Sequence, residues 1–449
     1  MENNDHLLTE GRVLPVLLRF TIPFLIANII QALYGAVDLA VVGRFAGSDS
    51  VAAVSTGTQV TQIITSLITG LTLGGTILVG KYTGMRKEEK TRRSIGTTLS
   101  LFGIFSVLLM ILVIGFAAPI LHLLQTPEEA FDLAKTYVTI CGWGIPFTCG
   151  YNAISAILRG CGDSRRPMLF IALACVLNIA GDLLLTGVLG MGVAGVAIAT
   201  ITAQAVSMVC AIVYLNRSTF IFRFTLHNLR IDRSRMKELL RAGIPISLQE
   251  LMIRISFLYL TAVVNSLGAA ASSAAGIASK YDVFAMLPAT SVASALAAFT
   301  AQNWGAKRPE RIRTAVYAGV TFAFLAGGCF LLWAQLSPES MIRIFSQDAD
   351  IIRVGAPFFR TCSFDYIAVA FVFGLNGYLN GRGLPLFTMC SSCFGALFLR
   401  VPLLYLVQTH FADSLRTLGC VAPTVSGIMA AYTLVFAVHQ LKKDLKNAA

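Results

Sequence analysis

The chain has 449 residues, 56% hydrophobic and 13% charged, with a formal net charge of +12 at neutral pH. An ordinary soluble protein is about a quarter charged, so this composition excludes most soluble architectures, along with disorder, collagen and small disulfide scaffolds. The basic balance would suggest nucleic acid in a soluble chain, but Lys and Arg also collect in the cytoplasmic loops of membrane proteins.

The polar stretch MENNDHLLTEGR leads into a long apolar run with no short hydrophobic core and cleavage pattern, so the first run is expected to stay as a helix. Windows of about 20 residues give twelve spans, at roughly 14–42, 51–79, 95–118, 133–158, 168–187, 193–215, 244–266, 274–303, 315–336, 351–379, 385–408 and 419–440. Loop charge alternates between them. Basic residues fill one set of loops, including Lys81, Arg86, Arg92, Arg93, Arg165, Arg166, Arg223, Arg230, Arg235, Lys307 and Arg311, and also the C-terminal Lys442, Lys443 and Lys446. The opposite loops hold little beyond Arg44, Arg343 and Arg416, so both termini are predicted to be cytoplasmic. Topology thereby accounts for the +12, and no nucleic-acid partner is expected.

Gly84–Arg93, after the second span, resembles Gly305–Arg313, after the eighth, at an offset of 221 residues. The same offset sets Ala46-Gly47 against Leu267-Gly268 and Arg159-Gly160 against Asn380-Gly381. Six spans per repeat is an even number, so both halves start from the same side of the membrane and the repeats are parallel. The expected fold class is an all-α polytopic membrane protein with twelve transmembrane helices in two six-helix lobes, related by a pseudo-two-fold axis along the membrane normal. The N-terminal lobe is placed at 1–218, a cytoplasmic linker at 219–240 and the C-terminal lobe at 241–449.

Two phosphate-binding patterns are declined. Gly75–Tyr82 nearly spells a P-loop but has Tyr82 where a magnesium-holding hydroxyl belongs, and Gly190–Gly195 matches GxGxxG without a strand before it. Ten cysteines lie mostly in apolar stretches and read as packing residues. Cys390 and Cys393 lack the partners of a metal site, and the five histidines, His6, His122, His227, His410 and His439, are scattered, so no enzyme activity and no cofactor are expected.

Ionisable residues inside spans are costly and mark function. Counting by helix rise, Asp38 and Asp182 each lie about 9 Å from the outer end of their spans. Asn178 is one turn from Asp182, Tyr137 lies in the outer part of the fourth span, and Thr200 is about 12 Å down the sixth. Two carboxylates among neutral oxygen donors could share a proton, because burial and mutual repulsion disfavour two charges, or they could ligate sodium. In the second half, Glu250 and Asp365 are placed about 10 Å from the inner face. Glu250 and Arg254 at i,i+4 read equally as an ion pair or as a site for a substrate cation. Lys280 and Asp282 are expected on different faces, Arg400 is expected to snorkel outward, and Pro23 reads as a hinge in the first span or as an ordinary membrane-helix proline.

VDLAVVGRFAGSDSVAAVS at 37–55, LNIAGDLLLTGVLGMGVAGVAIAT at 177–200 and AILRGCGDSRRP at 156–167 together resemble the multidrug and toxic compound extrusion (MATE) transporters, over nearly the whole chain. The resemblance implies two six-helix lobes around a central cavity and export of cationic or amphipathic small molecules in exchange for H+ or Na+ by alternating access. It assigns Asp38, Asn178, Asp182 and Thr200 to the cation site, with Tyr137 and Asn152 as neighbours, in the pattern of the DinF-like branch. Pro23 corresponds to the bend of the first helix. Glu250 and Asp365 are similar to the acids that sodium-coupled members use, so the coupling ion stays open between H+ and Na+. The expected setting is a monomer in the cell membrane, and the rival within the superfamily is a flippase for lipid-linked oligosaccharides.

Overall fold

The structure, a computed structural model, describes residues 7–217, 220–222, 225, 228–410 and 415–447; His6, Arg223 and His227 lie outside these. The described residues are helical with no strand. The first half runs α1 Val13–Phe45, α2 Ser48–Gly84, α3 Glu88–Gly115, α4 Ala117–Leu123, α5 Glu128–Gly160, α6 Arg165–Asp182 and α7 Gly192–Arg217. The second runs α8 Arg233–Asn265, α9 Ala269–Gly305, α10 Pro309–Leu336, α11 Pro338–Arg343, α12 Ala349–Cys362, α13 Asp365–Arg382, α14 Pro385–Cys393, α15 Val401–His410, α16 Leu415–Gly419 and α17 Val421–Lys446. π-helical stretches, Leu183–Val188 and Phe394–Arg400, continue α6 and join α14 to α15.

Eleven helical segments among the described residues are long and apolar enough to cross a membrane, with α12–α13 counted as one segment and α14–α15 as another. The twelfth span is α5, whose 33 residues suffice in length and whose apolar run is diluted by Thr136, Tyr137, Thr148 and Asn152. The chain is thus an all-α membrane protein of twelve spans in two six-helix lobes. The short helices α4, α11 and α16, of seven, six and five residues, fall below the reach of a membrane-length window.

The repeat is visible in the backbone. Positive φ recurs 221 residues apart at Gly47 (82°) and Gly268 (96°), at Gly162 (95°) and Gly383 (94°), and at the non-glycine residues Arg86 (52°) and Lys307 (55°). The glycines take this conformation without a Cβ clash, while Arg86 and Lys307 hold it within the two matching turns. Gly75–Tyr82 lies inside α2, and Gly190 and Gly192 form the tight turn before α7, so neither pattern forms a phosphate cradle.

Contacts divide the chain into two compact units, one comprising Ile26–Ile244 and the other Leu8–Leu25 with the chain from Pro245 onward. In the first, α5 packs on α2, α3 and α7, and α6 packs on α7; in the second, α13 packs on α9, α10 and α17. Small residues permit these approaches. On α13, Gly377 and Gly381 meet the carbonyls of Ala293 and Ala297 on α9, and an added Cβ at either glycine would collide with them.

Each repeat's first helix therefore changes unit partway along its length, just after Pro23 in α1 and at Pro245 in α8. The matched basic segments explain how the leading halves are held. Arg311 donates to the carbonyls of Gly11 (2.6 Å), Leu8 (3.1 Å) and Glu10 (2.9 Å), and Arg308 donates to that of Thr9 (2.6 Å). Gln302 accepts from the Leu8 N–H (3.0 Å). In the first unit, Glu238 near the start of α8 accepts from Lys81 (2.9 Å), Tyr82 (2.8 Å) and Arg235 (2.6 Å). Thr97 accepts from the N–H of Asp232 (3.0 Å).

Candidate functional site

In the first unit, α1, α6 and α7 bring together Asp38, Asn178, Asp182 and Thr200. Asp38 is 5% exposed, and Asn178 and Asp182 are fully buried. The Asn178 amide donates to Asp182 Oδ1 (3.4 Å) and Thr200 Oγ1 (3.3 Å), while the Thr200 hydroxyl donates to the Val196 carbonyl (2.9 Å). Asp38 faces Asp182, Asn178 and Thr200 closely enough to interact with all three. Three acceptor oxygens, Asp38 Oδ1, Asn178 Oδ1 and Asp182 Oδ2, are buried without a hydrogen-bond partner. Among the described residues, no Lys, Arg or His is among the groups acting on either carboxylate. Two buried anions without a base require a proton or a cation, and an all-oxygen donor set suits a hard cation.

The local sequence builds this cluster. Asn178 and Asp182 occupy one face of α6 at i,i+4, and the π-helical stretch begins directly after Asp182. Thr186 donates to the Gly192 carbonyl (3.0 Å), closing the turn into α7. That closure sets Thr200 beside Asn178. Tyr137 is 4% exposed on α5, next to Thr58, Cys141, Asp38 and Tyr34, with its ring over Gly57. Asn152 is not part of the cluster: its amide donates to the Thr148 carbonyl (2.8 Å), about 22 Å along α5 from Tyr137.

Tyr34 is an addition to the predicted set. Its buried hydroxyl, without a hydrogen-bond partner, lies by Asp38 and Thr200. Its position one helical turn before Asp38 was the available signal.

In the second unit, Asp365 is 5% exposed and begins α13. The placement of Asp365 about 10 Å from the inner face is corrected: α12 ends at Cys362, and Asp365 lies about 24 Å from the start of that span and about 26 Å from its end, near mid-depth. Glu250 is likewise central in α8, half-buried, and it interacts electrostatically with Arg254 one turn later. Arg400 does not snorkel outward. It is 7% exposed, 4.6 Å from the Phe257 ring, and its charge acts on Asp365, beside which lies Ser426. Asp282 accepts from Tyr366 (2.8 Å), whereas Lys280 is exposed, so those two face different ways as predicted. Pro23 is buried within α1, which continues through it to Phe45.

The MatE family model matches the chain twice, at residues 23–184 and 245–406. "Probable multidrug resistance protein YoeA" of Bacillus subtilis is 26% identical over 450 residues, covering 98% of this chain and 95% of that one. "Probable multidrug resistance protein YpnP" of the same organism is 29% identical over 402 residues, covering 88% of each. A MOP superfamily transporter from Pyrococcus furiosus, described by a reverse polarity of its binding pocket, superposes with a TM-score of 0.92 over 99% of each chain at 23% identity.

Proposed function

The chain belongs to the MatE family, and from that premise we propose that it is a secondary antiporter exporting cationic or amphipathic compounds in exchange for H+ or Na+. One observation carries the coupling role: three buried acceptor oxygens on Asp38, Asn178 and Asp182 lack partners, and no base neutralises the two carboxylates. The ion supplies the missing positive charge. Thr200, Tyr137 and Tyr34 complete its oxygen surroundings.

In this reading the protein alternates between two access states, and an ion bound between Asp38 and Asp182 favours the one that releases the exported compound. Pro23, which cannot donate a helical N–H, lets α1 bend between Asp38 and the half held by Arg311. Glu250, Arg254 and Asp365 offer charge to passing substrates. Loop charge supports cytoplasmic termini in the cell membrane, a monomer being the working unit. The multidrug resistance names of the relatives favour drug export over flipping of lipid-linked oligosaccharides.

The test is ethidium efflux from proteoliposomes, under a pH gradient and a sodium gradient applied separately. Asp38→Asn is expected to reduce gradient-driven efflux to the protein-free background. Efflux at the wild-type rate would overturn the coupling role.

A further inference from the structure

Each unit holds a pair of carboxylates, all buried but the half-buried Asp282, in a setting of related composition. The first has Asp38 and Asp182 with Tyr34, Tyr137 and Cys141; the second has Asp365 and Asp282 with Tyr366 and Cys362. Each also borders a π-helical stretch, which begins after Asp182 in one and ends on Arg400 in the other. The difference in charge is one residue. The second cluster contains a buried arginine, and among the described residues the first contains no base.

We propose that Arg400 is a built-in cation of the C-terminal unit, occupying the electrostatic role that an external H+ or Na+ fills between Asp38 and Asp182. The inference rests on the ion-coupled reading and deepens it, because it assigns coupling to the N-terminal cluster. Four features support it. Asp365 and Arg400 are both more than nine-tenths buried, and each acts electrostatically on the other. Asp365 Oδ1 and Arg400 Nε have no hydrogen-bond partner, so the arginine acts through its field, which is strong where water is excluded. Phe257 lies beneath the guanidinium, 4.6 Å away, and helps hold the charge where it could not otherwise stay. The wider turns of Phe394–Arg400 also displace Arg400 around its helix relative to an α-helical course, roughly a hundred degrees for each residue inserted.

A resident cation cannot be exchanged across the membrane. Asp365 then has no need of an external ion.

Two measurements on the full-length protein test this. The first is a thermal-melt cycle over Asp365→Asn, Arg400→Gln and the double variant. Each single change is expected to lower Tm by leaving the other charge unpaired, and the double variant to recover most of the loss. Additive losses would overturn the proposal whatever drives transport. The second is efflux in proteoliposomes at increasing concentrations of the coupling ion. Arg400→Gln is expected to steepen the dependence, because Asp365 must then recruit an ion of its own, while Arg400→Lys keeps the wild-type profile. An unchanged profile in Arg400→Gln, or an equally steepened one in Arg400→Lys, would overturn the proposal. Wild-type efflux indifferent to both gradients would instead sink the coupling reading, leaving the charge pairing to be judged by the melt cycle.

Discussion

Asp38 and Asp182 set a conflict between stability and function that a single amide can expose. Two carboxylates buried without a base repel one another whenever both are charged. Asp182→Asn should therefore leave the protein at least as stable as wild type, with a gain of roughly 0.5–2 kcal/mol read as a raised Tm, while gradient-driven efflux is lost. A variant both unstable and inactive would point to a packing role for Asp182. Tyr34→Phe removes one hydroxyl from the cluster's margin and should raise the ion concentration for half-maximal efflux about fivefold, the worth of about 1 kcal/mol. The main cluster was legible in the sequence because Asp38, Asn178, Asp182 and Thr200 lie on regular helix, where counting rise gives depth. In the second half the depth of Asp365 was miscounted, since even the predicted span 351–379 puts it about 21 Å from the inner end, and Arg400 lies at the end of a π-helical stretch that a periodicity of 3.6 does not anticipate.

Among the elements, the helix pair α9–α13 depends on backbone approaches that only glycine allows. Gly381→Leu should force α13 off Ala297 at a cost of about 1–3 kcal/mol, measured as a fall in Tm of the purified protein. The basic turns illustrate what charge patterning reveals and what it hides. Arg308 and Arg311 were readable as topology markers, yet they also grip the carbonyls of residues 8–11. Nothing in their spacing named that partner, some 300 residues away in the chain. Arg311→Ala should lower stability by about 1.5–3 kcal/mol and speed protease cleavage before α1, as seen in limited digestion. Unaltered cleavage would mean that the remaining contacts hold the segment without it.

For the molecule as a whole, two six-span repeats are not two self-sufficient halves. Residues 8–25 group with the second unit and residues 233–244 with the first, so a cut in the connecting segment leaves each fragment short of one half-helix that belongs to it. Fragments divided near residue 225 should each be degraded when produced alone and should assemble into a working transporter when produced together; a stable solitary fragment would count against this mutual dependence. The same exchange imposes an order on biogenesis. The leading half of α1 is made well before the surfaces that receive it, from Ala289 through Ala370, which are synthesised hundreds of residues later. Until then Thr9, Thr21 and the carbonyls of residues 8–11 lack their final surroundings. Packing of the earliest helix becomes a closing step of folding, and slow translation of the second repeat would lengthen the period in which the nascent protein is exposed to membrane quality control.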